Sequence, residues 1–539
     1  MGDIKPEVQT IEHTNDKEIV SMRIDEDAIN TASNIATDAE HLLTLREAFK
    51  RYPTAVLWAI VMSFTIIMEG YDTYLVGNFI AYPSFVKRYG TYYPELGTYE
   101  ISGPWQTALT IGANIGSFFG LLINGYVTEK FGHRHVILVS LVVMSGLFFF
   151  EFFAPSIQIL MVGLVLSGIP WGIFSVMGPS YASEVCPLVL RGYLTSFVNL
   201  CWVIGQFVSA GVQQGLVSNT TEWSYRIPFA VQWAWVVPLF VLTIFAPDSP
   251  WWLIRKERLD DAEKSIKRLS SGLSQTEIEQ TLAMMVHTNK LEKALQTESN
   301  YRDCFRSTNL RRTEIASMSL ASQALSGQLF AYSSTYFLVQ AGMASSEAYK
   351  MNFGATAIAF VATCLSWVLM SYVGRRKIFI AGLSVMTFLL LIIGILTFPA
   401  ATNDDVTWAQ GALCILWLGI YSLTVGPQSF AISAEISATR LRNLTLSIAR
   451  NLYYVAFIVC SVIEAKMINP TEDNLKGKTS FVWFGISLLT LIWAIFRLPE
   501  TKDRTYEELD ILFEMKLPAW KFSSVESADI RTVEQVKEV

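Results

Sequence analysis

Two carboxylates, Glu69 and Asp72, and one guanidinium, Arg450, stand inside long apolar runs of this 539-residue sequence. An ionised side chain at the middle of a bilayer costs roughly 2.5–3.5 kcal/mol on insertion scales, so such residues are rare without a role. Three positions apart, Glu69 and Asp72 share one helix face about a turn from each other. Two close carboxylates repel when both are ionised, and a carboxyl that takes and loses a proton as a cavity changes polarity is the part a proton-coupled carrier needs. A neutral acid hydrogen-bonded to a neighbouring helix is the alternative. Arg450 calls for an acid partner, with Glu69 and Asp72 as candidates, or a polar ligand; near a membrane surface it would instead snorkel outward. Glu151, close to Pro155 at the outer end of its run, reads as interfacial.

The elements that hold these residues follow from composition. Apolar residues make up 52% of the chain and charged residues 16%, against roughly 25% charge in soluble proteins. Most charges fall in residues 1–51, 247–312 and 500–539, and runs long enough to cross a bilayer lie between them. Spans are predicted at 54–76, 105–127, 136–153, 157–180, 194–215, 229–246, 315–338, 350–373, 378–398, 407–432, 444–465 and 480–497. Without the strand alternation of a membrane barrel, these runs are helices.

An even number of spans puts both termini on one side. Compact basic turns at Lys130 to His135 and Arg375 to Lys377 mark that side as cytoplasmic. The sequon Asn219-Thr220-Thr221 then lies outside, in agreement. The organisation expected is a disordered cytoplasmic tail over 1–51, a six-helix bundle over 52–247, a cytoplasmic helical linker over 248–312, a second bundle over 313–499, and a tail over 500–539. In the linker, Ser249-Pro250 can start a helix, and Leu259, Ala262, Ile266 and Leu269 recur at helical spacing.

Six cysteines without paired spacing argue against a disulfide framework or a metal site. The five histidines fall outside the span interiors, which disfavours a histidine relay. A net charge of −6 with no strongly basic stretch gives no sign of nucleic acid. No nucleophile–histidine constellation, nucleotide loop or cofactor motif points to an enzyme.

The chain also repeats itself at a period of about 250 residues. Gly132-His133-Arg134 is answered by Gly374-Arg375-Arg376, and Glu184 with Arg191 by Glu435 with Arg442. Pro247-Asp248-Ser249 is answered by Pro499-Glu500-Thr501. Two related halves fit a rocker with its ligand near mid-membrane at their interface. Glu184, Arg191, Glu435, Arg442, Arg134 and Arg375 lie at cytoplasmic span ends, where they can gate by joining and releasing the halves; purely structural ion pairs are the alternative.

With these motifs the sequence resembles the sugar porter branch of the major facilitator superfamily. The matching pieces are Gly70-Tyr71-Asp72, PSYASEVCPLVLRG over 179–192, PDSPWWL over 247–253, Gln323 with Ser326-Gly327, and Pro499-Glu500-Thr501. More narrowly, EGYDT over 69–73, GNF over 77–79 and IPWG over 169–172 look like the fungal α-glucoside, maltose permease-type group.

The resemblance implies an all-α fold of 12 transmembrane helices in two six-helix bundles, alternating access, and no cofactor. It implies a monomer that imports a maltose-like sugar with a proton across the plasma membrane. A facilitative sugar or polyol uniporter and a sugar sensor that does not transport are the other readings. It also marks Asp72 for proton coupling and leaves Glu69 between coupling and substrate contact. Gln206, Gln323, Phe430, Tyr453 and Tyr454 match its sugar-binding positions, with interhelical bonding or packing as the alternative. Trp202, Trp235 and Trp367 have no such match and read as packing. The sequence departs from hexose–proton symporters at Leu164, where an arginine usually partners the aspartate, and at Ala324 and Leu329. It departs from many fungal α-glucoside symporters at Ser117, where an acid is common.

Overall fold

The computed structural model describes residues 43–524 except 96, 297–300, 341, 401–403, 438–440, 503, 505–508 and 510–511. Among the described residues, ten helices are long and apolar enough to cross a membrane. The first, Pro53–Phe79, has 27 residues, which at 1.5 Å each rise about 40 Å and exceed the roughly 30 Å hydrocarbon core. Two further passes complete twelve. One is the fifth helix, Leu188–Leu216. The other is the seventh pass, broken into Ser307–Gln323, Ala324–Gln328, Leu329–Tyr332 and Ser334–Gln340.

Local sequence sets these boundaries. Prolines stand in the first turn of Pro53–Phe79, Gly103–Phe131 and Pro250–Arg255, where their missing N–H costs nothing. The seventh pass breaks at Gly327, whose φ of 93° lies in the left-handed region that side chains avoid. A short hairpin of Thr91–Tyr93 and Thr98–Glu100 stands between the first two spans.

Packing in lipid depends on close approach rather than hydrophobic gain. The second helix, Gly103–Phe131, meets the fourth, Ile157–Val185, backbone to backbone. A Cβ at Gly116 would stand 2.0 Å from the Val165 carbonyl oxygen, and one at Gly168 2.2 Å from that of Ala113. Across the interface between the halves, the second helix packs on the eleventh (Arg442–Ile468) and the fifth on the eighth (Ser345–Tyr372). Large apolar side chains such as Tyr126, Val139, Val237, Val361 and Leu489 remain exposed around the outside, as a lipid-facing belt requires.

On one side, Pro250–Arg255, Leu259–Leu269 and Gln275–Gln296 form the connector between the halves. Ser249 caps the first of these by accepting from Trp252 N, and Ala262, Ile266 and Leu269 are buried beneath the second. One expectation changes. Residues 45–51, placed in a disordered tail, form a helix with a reciprocal Thr44–Glu47 capping box, while residues 1–42 lie outside those described. Beyond residue 500, Leu509, Leu512, Phe513 and Phe522 are buried, with Arg311 and Arg312 over the Phe513 ring at 5.4 and 4.6 Å.

Candidate functional site

A cavity lies between the halves. The first half contributes Trp202 and Gln206 from the fifth helix; the second contributes Gln323, Phe430, Arg450 and Tyr453. Gln206 Nε2 donates to Tyr332 Oη at 3.3 Å, a bond that crosses from one half to the other. Tyr421 Oη donates to Gln323 Oε1 at 2.8 Å. Gln323 Nε2 and Gln328 Oε1, both on residues that line the cavity, have no partner within the protein. Amides and phenols flanked by flat rings can meet a solute that carries many hydroxyls and apolar C–H edges.

Arg450 sits beneath three rings, its guanidinium 5.5 Å from Phe430, 5.1 Å from Tyr453 and 5.2 Å from Tyr454. That is an interior place, not a snorkelling one. Each such contact contributes about 0.5–2 kcal/mol. Glu69, 3% exposed, faces the Trp202 indole and the Arg450 charge. Trp202, read from sequence as packing, therefore belongs to the site.

Asp72 turns elsewhere. Neither acid lines the cavity itself, but whereas Glu69 reaches the lining residues Trp202 and Arg450, Asp72, a turn away, is bonded inside the first bundle. Trp171 Nε1 donates to Asp72 Oδ2 at 3.0 Å, and Gln232 Nε2 to Oδ1 at 2.8 Å. A neutral indole and a neutral amide hold the carboxylate. Glu151 is also corrected. Instead of lying at the membrane interface it is 1% exposed, accepts from Ser167 Oγ at 2.7 Å, and neighbours Asp72.

The charged span ends show the repeat in three dimensions. Glu184 accepts from Arg255 Nη2 at 2.9 Å, takes the Ser249 hydroxyl, and faces His133 at 3.7 Å. Glu435 pairs with Arg375 at 3.3 Å and takes the Thr501 hydroxyl at 2.5 Å. Arg134 Nη2 donates to Ile244 O at 2.5 Å, as Arg376 Nη2 donates to Ile495 O at 2.7 Å. His133 thus corresponds to Arg375, and Arg134 to Arg376. Among the described residues, Glu184 is bonded to Ser249 and Arg255 of the connector, and Glu435 to Arg375 of its own half and to Thr501 beyond it. The side chains of Arg191 and Arg442 lie outside those described.

Apart from Gln206–Tyr332 beside the cavity, the side-chain hydrogen bonds that cross between the halves among the described residues sit at the opposite end. Tyr74 Oη donates to Asn352 Oδ1 at 2.6 Å, and Tyr349 Oη to Asn78 O at 2.5 Å. Gln106 Nε2 donates to Tyr336 Oη at 3.0 Å, Gln340 Nε2 to Glu100 Oε1 at 2.9 Å, and Asn469 Nδ2 to Ile101 O at 2.9 Å. Such bonds contribute about 0.5–1.5 kcal/mol each. Together they hold the hairpin end shut.

A polar cavity between two related bundles, closed at one end, is the geometry of a carrier. A family model described as sugar (and other) transporter matches residues 58–513. The chain belongs to this family. A general alpha-glucoside permease of Saccharomyces cerevisiae is 36% identical over 516 residues, covering 95% of this chain and 82% of that one. A maltose permease of the same organism is 36% identical over 495 residues, covering 91% and 80%. Among solved structures, the xylose transporter XylE from E. coli, in a partially occluded inward open conformation, superposes with a TM-score of 0.69 at 17% identity. It covers 84% of this chain and 100% of that one, which establishes the major facilitator fold of two six-helix bundles. The protein is a multi-pass membrane transporter of the fungal maltose permease-type group of sugar porters.

Sequence reasoning missed Gln232, Tyr332 and Tyr421, which no motif or spacing marks. It missed Glu464 as well, which is buried and takes the Trp483 indole N–H.

Proposed function

We propose that this protein imports α-glucosides such as maltose together with a proton across the plasma membrane, as a monomer, by alternating access, with both termini cytoplasmic. It carries its substrate rather than transforming it. The observation behind this reading is the joint placement of Gln206, Gln323, Phe430, Arg450 and Tyr453 around one cavity, with Glu69 beside it. Amide and phenol groups address sugar hydroxyls, and aromatic faces address the ring C–H edges. Glu69 and Arg450 connect the sugar site to a first helix that also carries Asp72. The relatives named as alpha-glucoside and maltose permeases support the substrate class. The Glu184 and Glu435 clusters stiffen the inner ends of the two bundles, so that they move as bodies while the outer bonds break and re-form.

The test is expression in cells that lack sugar uptake, with labelled maltose, sucrose, trehalose and glucose supplied and external pH recorded. Maltose uptake with simultaneous external alkalinisation is the expected result. Uptake of glucose alone contradicts the substrate assignment; maltose uptake with no pH change makes the protein a uniporter.

A further inference from the structure

Two carboxylates share one dry region of the first bundle, and every donor they receive is neutral. Asp72 takes the Trp171 indole and the Gln232 amide; Glu151 takes the Ser167 hydroxyl. Asp72 and Gln232 are fully buried, and Glu151 is 1% exposed. Gln232 also faces Glu151. Two buried oxygens of this group, Glu151 Oε2 and Gln232 Oε1, have no hydrogen-bond partner. Asp72 in turn acts on Glu69 and Tyr71 of its own helix, while the cation of the region, Arg450, acts on Glu69.

Acceptors therefore outnumber donors around the pair. Two ionised carboxylates with no cation are costly in such a place, because the lost hydration has no repayment. A single proton removes one charge and converts one acceptor into a donor. We infer that Asp72 and Glu151 form a one-proton site bridged by Gln232, making Glu151 the second proton-binding residue of the carrier. This rests on the proton-coupled reading above.

The step balances with no other reactant. With the proton on Glu151, that carboxyl donates one hydrogen bond, while Gln232 Nε2 donates to ionised Asp72. Turning the amide over lets Nε2 donate to ionised Glu151 and Oε1 accept from protonated Asp72. One proton is present in both arrangements, and the glutamine's two ends serve them equally. Loss of that proton to water leaves two buried negative charges, which favours any conformation that hydrates them. Release is thereby tied to movement of the first bundle.

The test measures the ratio of maltose-driven proton uptake to maltose transport in vesicles holding the full-length protein, across external pH. In Glu151→Gln that ratio should fall at least about tenfold, equivalent to one pK unit of lost preference, and the pH profile should flatten. Glu151→Asp should restore part of both. If Glu151→Gln does not reach the membrane, Ser167→Ala removes only the hydroxyl that positions Glu151, and should shift the pH midpoint of coupling. An unchanged ratio and pH profile in Glu151→Gln, or an unshifted midpoint in Ser167→Ala, overturns the proposal. Absence of proton uptake in the wild type defeats instead the symport reading on which it stands.

Discussion

In the first bundle, the second and fourth helices touch backbone to backbone at Gly116 and Gly168, and the acids Asp72 and Glu151 lie among neutral partners away from the cavity. In the second bundle, the seventh pass breaks at Gly327 and the tenth breaks between Leu423 and Val425, and the cavity-lining groups include Gln323, Phe430, Arg450 and Tyr453. One half is tightly joined and holds the buried acid pair. The other is articulated and supplies most of the named polar and aromatic lining. Duplication thus preserved the charged inner ends, where Glu184 and Glu435 have matching partners, and let the middles diverge.

The largest effect should come from the tight joint. Gly168→Leu forces a side chain against the Ala113 carbonyl, and overpacking of this kind costs about 1–3 kcal/mol, more where backbone must move. Gly354→Ala in the eighth helix meets nothing within 4 Å. Recovery of monodisperse protein and its melting midpoint should collapse for the first and stay near wild type for the second. Equal tolerance would remove the contrast between the bundles.

Next comes the division of chemistry. Gln323→Ala should weaken apparent maltose affinity roughly tenfold, the value of about 1.4 kcal/mol of hydrogen bonding, while the proton-to-sugar ratio stays as in the wild type. Labelled uptake with parallel pH recording checks both. A changed ratio would show that coupling chemistry extends into the second bundle.

The smallest effect concerns the outer seal. Burial against Tyr336 and Gln340 raises the Glu100 carboxyl above its ordinary value of 4.5, and the hydrogen bonds it accepts from them only partly oppose this. When the outer end opens, Glu100 returns to water, so the closed state holds its proton more tightly. The preference for closure is then full below the ordinary carboxylate value and is lost as external pH rises through the raised one. Glu100→Gln should remove this modest dependence, read as the pH-dependent labelling rate of a cysteine placed in the outer vestibule.

The sequence made much of this legible. Long apolar runs located the helices, and the recurring Pro-Asp-Ser and Pro-Glu-Thr motifs exposed the two halves, because membrane helices must satisfy their backbones internally whatever surrounds them. Gln206, Gln323, Phe430 and Tyr453 were reachable through resemblance, and Arg450 as a charge inside an apolar run. Other features were not. Glu69 and Asp72 share a face by spacing, yet a rotation of about 60° between them sends one toward the cavity and the other into the bundle. Only the positions of Trp171 and Gln232 decide that. Glu151 looked interfacial because it ends an apolar run, and its burial depends on Ser167 of a different helix. Tyr332 gains its role from the break at Gly327, which no period in the sequence announces.

The most direct measurement is the proton-to-maltose ratio of Asp72→Asn against the wild type in sealed vesicles, with apparent maltose affinity determined in the same preparation. The account expects the ratio to fall toward zero while affinity is retained, since Asp72 lies outside the cavity. Loss of affinity with an unchanged ratio would place Asp72 in the sugar site and contradict the separation of roles.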